Sequence, residues 1–269
     1  MKRIVVGEDT SLVSKALDRL SKPRGGDYGA RVPAVLVGAA RDLPLMKKWT
    51  PEYFASVLSK PLTNVKFSTT SSIFAYWGKA ENPGGENFAQ FIGHTNPYTS
   101  WRTMSMSAND LATVAAKQES AEPHPLAEDG YYYYSRDLSA TGDSQVSALS
   151  SDYDPSQLCA TVCPDRVDNV WWSTKGVTAQ AHYDLINNLF VQVHGTKKFL
   201  LYPPASAQDL NMHPNSHPSA RQSQAPVLQE AEADHLVTID SFPDIAKARD
   251  AALEVVLQPG DALYVPASY

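Results

Sequence analysis

The chain has 269 residues, 43% hydrophobic and 19% charged, the balance of an ordinary globular protein with room for one large domain or two small ones. Its formal net charge of −6 argues against a broad nucleic-acid-binding surface. No apolar run reaches the ~18–20 residues of a membrane span. The opening Met1-Lys2-Arg3-Ile4-Val5-Val6 lacks the long apolar stretch and cleavage site of a secretion signal, so a cytoplasmic or nuclear protein without membrane attachment is expected.

In chain order, residues 1–30 read as an N-terminal extension with a helix over Ser11–Leu20. Val32–Gly38 predicts a buried strand. Thr50-Pro51-Glu52 then marks a helix start: a hydroxyl to cap, a proline at the first position and an acid in the first turn. Tyr53, Phe54 and Val57 supply its apolar face. Asn64–Thr69 and Ser72–Trp77 predict short strands. Ser107-Ala108-Asn109-Asp110 opens another helix, with Leu111, Val114 and Ala115 at helical spacing.

Tyr131–Tyr134 reads as a strand showing tyrosine to both faces. The β character continues through 166–172, 187–194, 197–203, 253–257 and 261–265, with Pro259-Gly260-Asp261 as a turn. Between them, 205–250 is a Pro/Ser/His-rich excursion with a helix over Pro243–Ala252. Short strands with tight turns after an α/β first half suggest a sandwich or barrel with a helical flank. The two cysteines, Cys159 and Cys163, have a C-x3-C spacing without a nearby partner pair, and read as packed or surface thiols. His213 and His217, each followed by proline, read as loop residues.

The chemistry concentrates in His182-Tyr183-Asp184 and the residues after it. In extended backbone, residues two apart point to the same side, so His182 and Asp184 can reach one ion. Imidazole plus carboxylate, completed by a second histidine, is the facial triad of non-haem Fe(II) oxygenases. From Asn188 to His194 the residues alternate: Leu189, Val191 and Val193 face one way, and Asn188, Phe190, Gln192 and His194 the other. Gly195-Thr196 reads as a type II′ hairpin loop, which pairs His194 with Lys197 and sets Lys197 on the face of Asn188 and Gln192. A lysine, an asparagine and a glutamine on one face of an otherwise apolar hairpin suggest a wet cavity. Each residue also has an ordinary reading: H-x-D recurs by chance, Lys197 could be a solvated strand residue, and Asn188 could serve a turn.

Gly176–Asp184, Asn188–Val193 and Gly195–Pro204 together resemble the cupin-like JmjC hydroxylases, the group of the hypoxia-inducible factor asparaginyl hydroxylase and the tRNA wybutosine-synthesising hydroxylase. Pro33–Gly38 with Lys48–Tyr53, His217–Gln224 and Pro259–Pro266 are similar to the flanking segments of that family. The resemblance implies a mainly β fold with flanking helices (α+β), a double-stranded β-helix or cupin jelly roll, over residues 31–269. It implies Fe(II), 2-oxoglutarate and O2 as cofactor and cosubstrates. His182 and Asp184 would be metal ligands, Lys197 would hold the distal carboxylate of 2-oxoglutarate, Asn188 would orient it, and a tyrosine at or near Tyr132 would donate to it. The family often places threonine three residues before its first iron-binding histidine; Ala179 stands there, with Thr178 one earlier. A protein or peptide side chain is the preferred substrate over a tRNA nucleoside, because of the acidic balance. A non-catalytic metal-binding or interaction cupin is the third reading, and some relatives form homodimers.

The family continues beyond a segment such as Gly260–Pro266 to a distal histidine, its third ligand, whereas Pro266-Ala267-Ser268-Tyr269 closes this sequence. The expectation is a β-helix C-terminally incomplete in this chain, truncated before its last strands, and an impaired catalyst.

Overall fold

The computed structural model describes residues 2–5, 15–17, 32–69, 72–74, 101–120, 130–138, 148–158, 166–217, 219–225 and 242–269. The expected helix over Ser11–Leu20 is described at 15–17, and the expected strand Ser72–Trp77 at 73–74. Cys159 and Cys163 lie outside the described residues.

One four-stranded sheet is ordered β1 (Lys2–Val5), β2 (Ala34–Val37), β12 (Ala262–Val265), β9 (Asn188–Val191). A two-stranded sheet joins β10 (Lys197–Leu201) to β11 (Leu253–Leu257). The second four-stranded sheet is β5 (Arg102–Met106), β3 (Leu62–Ser68), β6 (Tyr131–Asp137), β7 (Asn169–Ser173), and β4 (Ile73–Phe74) pairs in parallel with β8 (Thr178–Ala179). From β9 onward the chain passes to the other sheet for β10 and β11 and returns for β12. That alternation between facing layers is the jelly-roll arrangement, and the molecule is a mainly β cupin-like fold with helices.

The Gly195–Thr196 hairpin does not form as expected: β9 pairs with β12 and β10 with β11. Residues 192–196 instead carry the chain between sheets. The buried Gln192 amide holds the crossing by donating to the carbonyls of His194 and Gly195 (2.7 and 3.1 Å). Gln192 thus serves the backbone and does not line a wet face. Gly195 sits at φ +67°, where a side chain would strain the backbone, and that supplies the bend.

The helix start at Thr50 is as expected. In α2 (Pro51–Val57), which follows α1 (Pro44–Lys48), the Thr50 hydroxyl accepts from Tyr53 N–H (3.2 Å). Ser107 caps α3 (Ala108–Ser120), taking the Asp110 N–H (3.0 Å) while its hydroxyl donates to the Asp110 carboxylate. The helix expected over Pro243–Ala252 is α4, Ile245–Ala251. No helix among the described residues is long and apolar enough to cross a membrane.

Two apolar cores frame the site. The larger one packs Trp49 and Phe54 against Val65, Leu111, Tyr134 and Val170. It is fixed to the 148–158 segment by Asp152, whose carboxylate accepts from Lys48, Trp49 and Tyr53. The other lies between the β2-β12-β9 layer and β10-β11: Val35, Leu201, Val255, Leu257 and Leu263, with Phe190 and Phe199 at its margin. Full burial of each aliphatic side chain here contributes ~1.5–3 kcal/mol. Asp261, in the Pro259–Asp261 turn, closes this layer: its carboxylate accepts from Gly38 N–H (2.9 Å) and Gln258 N–H (3.1 Å).

Candidate functional site

The His182 segment is held on both sides. Thr178 N–H donates to Ser72 C=O (2.8 Å) through the β4–β8 pairing, and His182 is bridge-paired with Gln222. Between them, the buried Gln180 amide donates to the carbonyls of Ser223 and Ala225 (2.5 and 3.0 Å). Ser223 N–H returns a bond to Ala181 C=O (2.8 Å).

This backbone sets the imidazole. His182 Nδ1 lies 2.7 Å from the carbonyl of Gln180. With the proton on Nδ1 donated to that carbonyl, the Nε2 lone pair is left for a metal, the usual way a ligating histidine has its tautomer fixed. Asp184 follows two residues later, and its carbonyl accepts from Ser268 N–H (2.7 Å). Asn187 ties the same loop down, its Oδ1 accepting from Tyr264 O–H (3.2 Å) and Ala267 N–H (3.0 Å).

An imidazole with a presented Nε2 and a carboxylate match two thirds of a mononuclear iron donor set. Among the described residues no third His, Cys, Asp or Glu joins them. His213 and His217 do not: they are buried and stacked on each other, ring centroids 4.1 Å apart and 9° from parallel, with His217 Nδ1 accepting from Ser219 N–H (2.9 Å). They are core members of the loop in which the sequence placed them.

Lys197 begins β10 on the inner face. Its register partner is Leu257, and Phe199 and Leu201 follow on the same side, opposite Val255 and Leu253. Its Nζ lies 5.3 Å from the Phe190 ring centroid and 5.7 Å from that of Phe199. Burial holds its ammonium below the ordinary lysine value, and no carboxylate pairs with it among the described residues. Asn188 shares this inner face, since β9 sets it opposite Val265 and two residues from Phe190. The structure therefore turns Lys197 and Asn188 toward the same apolar core although the strands carrying them do not pair. A desolvated cation in an aromatic frame is suited to the carboxylate of a small diacid.

Tyr132 turns to the large core and Tyr133 to the opposite face of the sheet. Directly paired residues share a face, and β6 sets Tyr132 opposite Phe67 and Tyr133 opposite Lys66 and Ser173. Tyr132 packs on Phe67 (4.7 Å) and into the large core. Tyr133 faces Phe74 (6.1 Å), whose register partner is Ala179. Burial pushes its phenol up, with the Ser135 hydrogen bond opposing. Thr178 is not turned to this face: it pairs with Ile73, and its hydroxyl donates to Gly176 C=O (3.2 Å).

Sequence reading missed Trp171 as part of the site. It shares the face of Ser135, stacks on Phe190 at 5.5 Å and 9° from parallel, and keeps 39% of its surface exposed. Parity from Tyr133 could have found it only with the β6–β7 register known. Gln180 also escaped notice, although its place two residues before His182 was a usable signal.

The cupin-like domain family matches residues 28–269. Similar proteins include Jumonji C domain-containing protein 5 of Drosophila melanogaster, 27% identical over 179 residues, covering 65% of this chain and 40% of that protein. The tRNA wybutosine-synthesizing protein 5 of Danio rerio is 27% identical over 188 residues, covering 66% of this chain and 48% of the relative. Its human namesake is 25% identical over 248 residues, covering 89% of this chain and 66% of the relative. The chain thus spans less than half the length of the first two relatives. With the alternating strands, the inward Lys197 and a family match over most of its length, this chain belongs to the cupin-like domain family of JmjC type.

Proposed function

We propose that this chain forms the core of an Fe(II)- and 2-oxoglutarate-dependent dioxygenase that hydroxylates a protein side chain. The observation that carries the reading is Lys197, a partly buried ammonium framed by Phe190 and Phe199 on the same inner face as Asn188. His182 through Nε2 and Asp184 through its carboxylate would hold the metal, with a third ligand from outside the described residues. Lys197 would bind the distal carboxylate of 2-oxoglutarate by a charge-assisted bond worth ~1.5–3 kcal/mol. Asn188 would orient the cosubstrate, and Tyr133, on the face away from the large core, would donate to it in place of Tyr132. When bound, iron with 2-oxoglutarate and O2 supplies the oxidation that converts C–H to C–OH, with succinate and CO2 as co-products.

What the chain itself contributes is orientation and exclusion. Gln180 fixes the His182 ring, Gln192 and Asp261 hold the inter-sheet crossing, and the Trp171–Phe190–Phe199 floor keeps water off the reacting side. In this reading residues 31–269 are one cupin unit behind an extension, 1–30, in a cytoplasmic or nuclear protein.

The test is calorimetric titration with Mn(II), then with 2-oxoglutarate. Cosubstrate binding that needs metal and is lost in Lys197→Met supports the reading; no binding of either sinks it. A tRNA nucleoside is the second substrate reading, favoured by the names of two of the relatives. A non-catalytic metal-binding or interaction cupin is favoured by the two-ligand set among the described residues. Metal and 2-oxoglutarate binding without succinate release in the presence of peptides and tRNA would select it.

A further inference from the structure

The lysines of this chain are set in two different ways. Lys48 and Lys247 pair with the carboxylates of Asp152 and Asp244, which hold their ammonium groups above the ordinary lysine value. Lys198 of β10 turns to the outer face beside Glu254 (3.9 Å), with 48% of its side chain exposed. Lys197, one residue earlier, turns inward between two rings. Its Nζ lies 5.3 Å from the Phe190 centroid and 5.7 Å from that of Phe199, and no carboxylate pairs with it among the described residues. Burial is what moves its titration, and moves it down, so at a given pH it holds more free amine than an ordinary lysine does. Desolvation by apolar walls is an established way to make a lysine nitrogen a nucleophile. The amine is also within reach of solvent: Lys197, Phe190 and Phe199 are each only partly buried, and Trp171, stacked on Phe190, keeps 39% of its surface exposed.

We propose that Lys197 is a nucleophilic amine that captures a small apolar aldehyde as an imine. The nitrogen lone pair adds to the carbonyl carbon, and the carbonyl oxygen takes up the proton that the nitrogen gives up. The resulting carbinolamine loses that oxygen as water while the C=N bond forms, so amine and aldehyde become imine and water with no oxidant or reductant. The product suits its surroundings better than the reactant. An imine is less basic than an amine, so capture takes a charge out from between Phe190 and Phe199, whose rings are apolar partners for the aldehyde's substituent. This inference goes beyond the dioxygenase reading and does not need it. Where that reading holds, the two uses of Lys197 exclude each other: a bound carboxylate keeps the proton on the nitrogen, and an ammonium does not add to a carbonyl.

The experiment exposes the full chain to benzaldehyde and cyanoborohydride, which fixes an imine as a secondary amine. Mass spectrometry after digestion then reads the benzyl label on each lysine. Label on Lys197 should exceed that on Lys198 several-fold, and the excess should widen from alkaline to neutral pH, because a lysine in solvent loses its free amine first. Phe199→Ala, which opens the frame, should bring Lys197 down toward Lys198, with thermal melting to show that the variant is folded; the wild-type comparison stands without it. Equal labelling of Lys197 and Lys198 in the folded wild type overturns the inference, and so does a ratio that does not move with pH. Adding Mn(II) and 2-oxoglutarate tests the two readings apart. Protection of Lys197 is expected where both hold, whereas heavy label on Lys197 in their presence upholds the reactive amine and removes its role toward the cosubstrate.

Discussion

The two faces of the β5-β3-β6-β7 sheet are built from the same strands and follow opposite rules. On the core side Val65, Tyr134, Val170 and Trp172 pack with Phe54 and Leu111, and each position is decided by volume and dryness. On the opposite side Lys66, Tyr133, Ser135, Trp171 and Ser173 alternate with them, polar or aromatic and in part exposed. Adjacent tryptophans make the difference concrete. Trp172 meets Phe54 edge-on at 5.5 Å inside the core, whereas Trp171 lies flat on Phe190 on the opposite side. Stability is concentrated on one face, and the other is polar or aromatic and in part exposed.

The widest separation of the two faces should come from that pair. Trp172→Ala is expected to cost about 3 kcal/mol of unfolding free energy through the cavity it leaves. Trp171→Ala should cost only ~0.5–1.5 kcal/mol, the worth of a ring stack, and should instead weaken ligand binding. Urea unfolding of the two variants measures this directly, and equal costs would collapse the distinction.

Lys197→Met comes next. It should weaken 2-oxoglutarate binding roughly 10- to 150-fold, from ~1.5–3 kcal/mol for a bond to a charged group, while raising the melting temperature of the ligand-free protein because a buried ammonium is removed. The pH dependence has a definite sign. The folded-state value of Lys197 lies below 10.5 through burial, so the penalty of the charged form is present at neutral pH. As pH rises through the lowered value toward 10.5, the folded form releases its proton before the unfolded form does, and stability rises. Wild type should therefore gain stability over Lys197→Met in alkaline solution, and bound 2-oxoglutarate should remove that gain by compensating the charge. Parallel urea curves at neutral and alkaline pH check both.

Gln180→Ala tests whether the imidazole is set by its own strand. Two carbonyls, those of Ser223 and Ala225, lose their donor, for ~1–3 kcal/mol if they stay dry. The freed backbone should also lower Mn(II) affinity by roughly 10-fold or more. Unchanged metal binding with the expected loss of stability would make Gln180 purely structural.

Thr50, Pro51 and Glu52 announced a helix start because capping is local chemistry, and the structure has the Thr50 cap. The inner-face position of Lys197 was likewise legible from parity, yet the hairpin used to reach it is absent. The period of two holds within β9 and within β10, while their partner strands, β12 and β11, lie some fifty residues or more further along. The tyrosine run shows the opposite failure. Four identical residues carry no signal of which face is dry, and Phe67 and Lys66 on β3 decide it for Tyr132 and Tyr133. Asp261 read as a turn residue, but its tie to Gly38 spans 223 positions.

By itself the sequence determined what depends on neighbours in the chain, the helix caps and the strand parity, and it proposed His182, Asp184, Asn188 and Lys197 as one chemical set. The tertiary structure decided which strands face each other, and hence which tyrosine meets the core and which rings surround Lys197. The physical reason is that a side chain's face follows from its own strand's period of two, whereas the partner across a sheet is chosen by burial and hydrogen bonding over long separations.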